Sequence, residues 1–220
     1  MKSTGNDIVA LNAIDIQRTI SPAFYSKFIT PPELELYKQS QLGAIPFENF
    51  VWLLWSVKES VYKYLKRSQP DLIFPPAKII IQNINVPHTL LPGSTVSTWE
   101  SGNSTNEFYT GEVAFQSYQL YFRSKITAEF IASVVAGSVD FNEVYWGVES
   151  IHETDSETQS KEVRAFALKK LKAILNNNGL IIEKDAAGCP IIMDGNEQLD
   201  IPVSLAHHHN LIAFSFSVRG

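Results

Sequence analysis

Along the first third of the chain, apolar residues recur at helical spacing in one long segment. Phe50, Leu53, Leu54, Val57, Val61 and Leu65 form a stripe that predicts a helix over about 47–67. Elsewhere the pattern is β-like. "DIVALNAIDI" at the start, "AKIIIQNINV" after the helix, then "FYTGEVAFQSYQLYFRS" and "ITAEFIASVVAG" read as strands rich in β-branched and aromatic residues. "SPAFYSKFITPPELELYKQS" carries a helix start at Thr30, Pro31 and Pro32. Residues 87–106, rich in Pro, Gly, Ser and Thr, read as a long loop. The remainder repeats the plan. "ETQSKEVRAFALKKLKAILNNNG" is an amphipathic helix ending at Asn and Gly, "LIIEKDAAGCPIIM" a hairpin, and "PVSLAHHHNLIAFSFSVRG" two closing strands.

Two short matches suggest a duplication. "KESVYKYLK" at 58–66 aligns with "KEVRAFALK" at 161–169, and "FIASV" at 130–134 with "LIAFS" at 211–215. The offsets are 103 and 81, and their difference is close to the length of the loop that only the first half carries. The expectation is an α+β molecule of two related halves, 1–137 and 138–220, with a cleft between them where groups from distant segments converge.

At 220 residues, with 45% hydrophobic and 19% charged positions, the chain has the balance of an ordinary globular protein with a sizeable core. Its opening lacks the apolar run of a secretory signal, and no stretch is long enough to span a bilayer. Cys189 is the only cysteine, which excludes an internal disulfide and a multi-cysteine zinc site and fits a reducing, cytoplasmic setting. A net charge of −5 argues against a general nucleic-acid binder and leaves room for a local basic patch facing a phosphorylated ligand or an acidic partner.

Three polar groups interrupt apolar segments. On the long helix, Trp55, Glu59 and Lys63 lie four apart along one line, with Lys58 beside them. Spacing alone fits both a surface ion pair worth a few tenths of a kcal/mol and a functional line. Asp7 stands next to Ile8 and Val9 on a strand, where a carboxylate is either at an edge or in a cleft that neutralises it. Ser204 precedes His207, His208 and His209. Adjacent side chains on a strand point to opposite faces and no second ligand cluster exists, so a turn with one functional histidine is expected rather than a transition-metal site.

In this order the three segments resemble the 4′-phosphopantetheinyl transferase superfamily, which shows G-x-D near a strand, W-x-x-K-E-x-x-x-K on a helix and S-x-S-H before an apolar strand. Here they read Gly5-Asn6-Asp7, Trp55 to Lys63, and Ser204-Leu205-Ala206-His207. "FITPPELELY" is similar to the family's F-x-T-x-x-E-L, and Gly188-Cys189-Pro190 sits where a G-K-P is usual. The resemblance implies a transferase-like α+β fold with pseudo-twofold duplication, and transfer of 4′-phosphopantetheine from coenzyme A to a serine of an acyl or peptidyl carrier protein, as in fatty acid or polyketide biosynthesis. It further implies Mg²⁺ held by Asp7 and Glu59, with Glu59 and Lys63 catalytic and Lys58, Lys63, Ser204 and His207 binding the coenzyme. The chain departs from the pattern at Val9, where some members carry a third carboxylate, at Cys189 for lysine and at Ala206 for serine. Val9 is similar to the holo-acyl-carrier-protein synthase branch.

In duplicated members the histidine motif comes first, whereas here it comes last. The chain is therefore expected to be either two synthase-like halves fused in reverse order, making a monomer, or one synthase unit with an insertion that shares sites between subunits. Arg18, Lys27 and Lys66 are a candidate basic rim for an acidic carrier. The competing expectation is a non-catalytic relative that binds coenzyme A or a carrier without transfer.

Overall fold

The computed structural model describes residues 3–38, 42–87, 97–99 and 107–218. Strand β1 (Thr4–Ala10) leads through two single-turn helices, α1 (Ile16–Thr19) and α2 (Pro22–Tyr25), into α3 (Pro31–Lys38) and the long α4 (Phe47–Lys66). Strands β2 (Ile80–Asn85), β3 (Ser97–Trp99), β4 (Tyr109–Phe115), β5 (Tyr118–Ile126) and β6 (Phe130–Ala136) follow. The second half contains β7 (Val144–Ser150), α5 (Ser156–Leu175), β8 (Leu180–Lys184), β9 (Pro190–Asp194), β10 (Glu197–Leu199), β11 (Val203–His208) and β12 (Leu211–Ser217). The predicted loop at 87–106 lies largely outside the described residues; β3 falls within it. Among the described residues, no helix is long and apolar enough to cross a membrane.

The strands form antiparallel sheets ordered β1-β6-β5-β4-β2, β11-β12-β7-β3 and β10-β9-β8. Alternation along the central strands explains the layering. On β1 and β6, Val9, Ile131 and Val135 face α4 and its Phe50, Leu53, Val57 and Val61. Ile8, Ala10, Phe130, Ala132 and Val134 face Trp146, Val148, Ala206 and Ala213 of the second sheet. That sheet turns Phe214 and Phe216 towards Ala167 and Leu171 of α5. The order is thus helix, sheet, sheet, helix. β6 and β12 are buried on both faces, so apolar residues occupy both sides of each strand and the polar positions are small serines. Alanines and serines where the sheets meet let the two layers approach closely.

Both central strand pairs share one register. Thr4 lies opposite Ala136 and Ala10 opposite Phe130, while Val144 lies opposite Ser217 and Ser150 opposite Leu211. The "FIASV" and "LIAFS" matches begin at the first residues of β6 and β12. The outer edges differ. β7 is covered by a backbone ladder from β3, with Ser97 opposite Val148, whereas β1 packs beside β11.

α4 is locked by a buried ion pair. The Lys58 ammonium, fully excluded from solvent, lies 2.8 Å from Glu33 Oε1 and 2.9 Å from Oε2, and donates to the carbonyls of Phe28 at 2.6 Å and Pro76 at 3.1 Å. Glu33 also accepts from the Thr30 N–H, the Thr30 hydroxyl and the Ile81 N–H, all at 2.9 Å. Every strong donor and acceptor of the pair has a partner, the condition under which buried charges are tolerated. α3, α4 and β2 are thereby joined, and the rotation of α4 is fixed. Lys58→Met would leave Glu33 charged without a counter-charge. It is expected to cost about 3–5 kcal/mol in urea unfolding, whereas a loss near that of a surface substitution would show that the pair does not hold the helix.

Candidate active site

With Lys58 turned inward, the next positions on the helix face β1. A Cβ at Gly5 would lie 2.0 Å from the Ser60 carbonyl oxygen and 2.6 Å from the Tyr64 nitrogen, so only glycine permits the strand to lie this close to the helix. Two residues on, Asp7 points the same way and its Oδ1 accepts from Lys63 Nζ at 3.1 Å. Glu59, one turn before Lys63, completes the group. Burial pushes its carboxyl above the ordinary range, Lys63 pulls it down, and the like charge of Asp7 pushes it up.

The second half closes the site through β11. Two edge N–H groups of β1 meet β11 side chains: Asn6 N–H donates to Ser204 Oγ at 3.1 Å and Ala10 N–H to His208 Nδ1 at 2.8 Å. His207 points to the other face of the strand and is exposed at the rim. Partial burial first, then Lys63 and His208, hold its pKa below that of free histidine. The histidines begin inside a strand rather than in the expected turn, which is made by His209 in the left-handed region (φ 54°) and Asn210.

Beyond Lys63 a cleft of about 240 Å³ opens between the end of α4, the β8–β9 hairpin and β11. Lys63, Lys66 and Arg67 line it from one side and Gly188, Cys189 and Ser204 from the other, with no acidic side chain among the described lining residues. Arg67 Nη2 donates to the carbonyls of Pro190 and Val203, both at 2.8 Å, tying α4 to the second half. Burial pushes the Cys189 thiol up, and Asp185 adds to this, against the pull of Arg67 and Lys66. In a chain of net charge −5 this is a local basic cleft of the kind that takes phosphate.

The structure therefore brings Asp7, Glu59, Lys63, Ser204 and His207 together from three elements. It does not bring Lys58. That residue, expected to hold the nucleotide, is enclosed with Glu33 and presents no donor to the cleft. Val9 is buried in the core facing α4, so the position two after Asp7 is a packing position. Sequence reasoning did not assign Arg67 or His208 to the site, nor Lys66 to its cleft. The signal for Lys66 and Arg67 was their spacing of three and four from Lys63, which sets them on its face of the helix.

The donor set suits a hard divalent cation. Asp7 and Glu59 are two carboxylates facing one lysine, and Mg²⁺ is ordinarily held by one or two carboxylates with water and phosphate oxygens. Among the described residues no cluster of three or more His, Cys, Asp or Glu side chains offers an all-protein cage. In the metal-free protein Glu59 is expected to titrate above an exposed glutamate. Lys63→Ala should raise it further and Asp7→Asn lower it, measured by carboxyl NMR; a Glu59 indifferent to both changes would mean the three groups do not share a site.

The family model of the 4′-phosphopantetheinyl transferase superfamily matches residues 3–120, which include β1, α3 and α4 with Asp7, Glu33, Lys58, Glu59 and Lys63. No curated protein and no solved structure matches the chain. A match over more than half of the chain, on the strand and helix that build this carboxylate and lysine cluster, identifies it: the protein belongs to the 4′-phosphopantetheinyl transferase superfamily.

Proposed function

We propose that the protein transfers 4′-phosphopantetheine from coenzyme A to a serine hydroxyl of an acyl or peptidyl carrier protein, releasing adenosine 3′,5′-bisphosphate. The observation that carries this reading is the convergence of Asp7 and Glu59 on Lys63, which also lines a cleft whose charged side chains are cations. A bond forms between the serine oxygen and the phosphorus bearing the pantetheine, and the bond from that phosphorus to the bridging diphosphate oxygen breaks. The nucleotide leaves with the electron pair.

Asp7 and Glu59 would hold Mg²⁺, which when bound offsets the charge of the diphosphate. Lys63 is the cation nearest to both carboxylates and can turn from Asp7 to a phosphate oxygen as a compact point charge. Lys66 and Arg67 give the cleft the charge to hold the nucleotide phosphates, with Lys66 facing Cys189 where relatives carry a hairpin lysine. His207 and Ser204 bring the second half's contacts. Glu59 is also the carboxylate of this set that would receive the proton of the serine hydroxyl, directly or through a water.

We further infer that 1–137 and 138–220 are duplicated halves in reverse order to the longer members of the family. The shared register of β1/β6 and β7/β12 and the matching sheet order support it. In that alignment Gly147 takes the place of Asp7 and Ile126 that of His207, and β3 lies along the edge corresponding to the one β11 flanks. One site per chain, a monomer, and action on cytoplasmic carriers of fatty acid or polyketide assembly follow from this reading.

Incubating the protein with apo carrier domains, coenzyme A and Mg²⁺ is expected to add one phosphopantetheine to the carrier by intact mass, and Glu59→Ala to abolish the gain. No gain with any carrier, alongside measurable coenzyme A binding, would replace the enzyme with a binding protein. Lys66→Ala should raise KM for coenzyme A by about tenfold with kcat nearly unchanged, the signature of a ground-state phosphate contact. An unaltered KM would remove Lys66 from the cleft's function.

A further inference from the structure

β1 and β11 are the outer strands of different sheets and run side by side, yet two hydrogen bonds that join them pass through side chains. Ser204 and His208, four residues apart, accept from Asn6 and Ala10, also four apart, so the two contacts bracket Asp7. Bare edge N–H groups buried between layers would be costly, and these two acceptors satisfy them.

The His208 contact has a chemical consequence. A backbone N–H only donates, so Nδ1 must be the bare nitrogen, and the ring is neutral with its proton on Nε2. Burial agrees with this, holding the imidazole below its free pKa, while Asp7 pulls it up and His209 pushes it down. The ring also lines a second cavity, of about 340 Å³, with Trp52, Trp55, Thr19, Asp15 and Arg18. His207, the adjacent residue, is close enough to Lys63 for its positive charge to hold the imidazole pKa down. The position of His208 along β1 therefore sets where His207 stands relative to the carboxylates.

We propose that His208 is a positioning residue of the transfer reaction, its Nδ1 pinning β11 to the Ala10 N–H so that His207 and Ser204 of one half are held against Asp7, Glu59 and Lys63 of the other. The assignment rests on the transferase reading for its catalytic consequence and on the hydrogen bond alone for the clamp.

Three variants separate the roles of the ring nitrogens. Asparagine carries an oxygen near the place of Nδ1, glutamine reaches the place of Nε2, and alanine supplies neither. His208→Ala and His208→Gln are expected to lower kcat by about tenfold or more, as a small misplacement of reacting groups does, while His208→Asn stays within about threefold of wild type. Exchange of the Ala10 amide, read by NMR in the same proteins, should speed up in the alanine and glutamine variants and stay slow in the asparagine variant. The proposal is overturned if His208→Ala retains full kcat, if asparagine fails to rescue, or if Ala10 exchanges equally slowly in all three. If the wild type itself transfers nothing to any carrier, the transferase reading fails, and the catalytic role of His208 with it. The Ala10 exchange rates then decide the clamp by themselves.

Discussion

The approach of β1 to α4 at Gly5 is the constraint on which the site depends. Any side chain there would meet the backbone of Ser60 and Tyr64, and the strand would have to withdraw. Because Asp7 lies two residues further on the same face, that withdrawal would carry its carboxylate away from Lys63 and Glu59. The glycine of the Gly-x-Asp motif thus has a packing reason, and the same contact between strand and helix sets where its aspartate stands.

The helix carries two ion pairs of opposite character. Lys58 with Glu33 is wholly buried and fully partnered, and its work is to fix the rotation of α4. Lys63 with Asp7 is partly open, with side-chain exposures of 25% and 13%, and has Glu59 as an additional negative neighbour. The first is closed to ligands. The second gathers two carboxylates around one lysine that also lines a basic cleft, which is the arrangement the proposed cation and phosphorylated ligand would complete. The positions Lys58 and Glu59 are adjacent in sequence, and the helix turn between them divides structure from chemistry.

Much of this was legible in the sequence. The apolar stripe fixed α4 to within a residue of its ends, and the spacing of Glu59 and Lys63 placed them on one line. What misled was Lys58. Helical periodicity does not say whether a charge at the margin of a wide apolar stripe faces water or a buried partner, and its partner, Glu33, lay 25 residues away in a separate motif. Three consecutive histidines likewise read as a turn, because strand propensity is weak beside tertiary context. In the fold His207 and His208 take opposite faces of β11, which divides one polar run into an exposed residue whose pKa Lys63 holds down and a residue whose Nδ1 accepts from the Ala10 N–H of β1. Arg67 escaped because a cation at a helix end looks like ordinary dipole compensation until the carbonyls of β9 and β11 that it joins are seen in space.

In the proposed reaction, carboxylates from a strand and a helix, presented beside a basic cleft, together hold the cation that a diphosphate needs. A crystal structure of the protein with coenzyme A and Mn²⁺, the metal located by its anomalous scattering, tests it most directly. One ion is expected within about 2.2 Å of oxygens from both Asp7 and Glu59 and from the diphosphate, with the nucleotide phosphates against Lys66 and Arg67. A coenzyme bound elsewhere, or an ion that touches neither carboxylate, would contradict it.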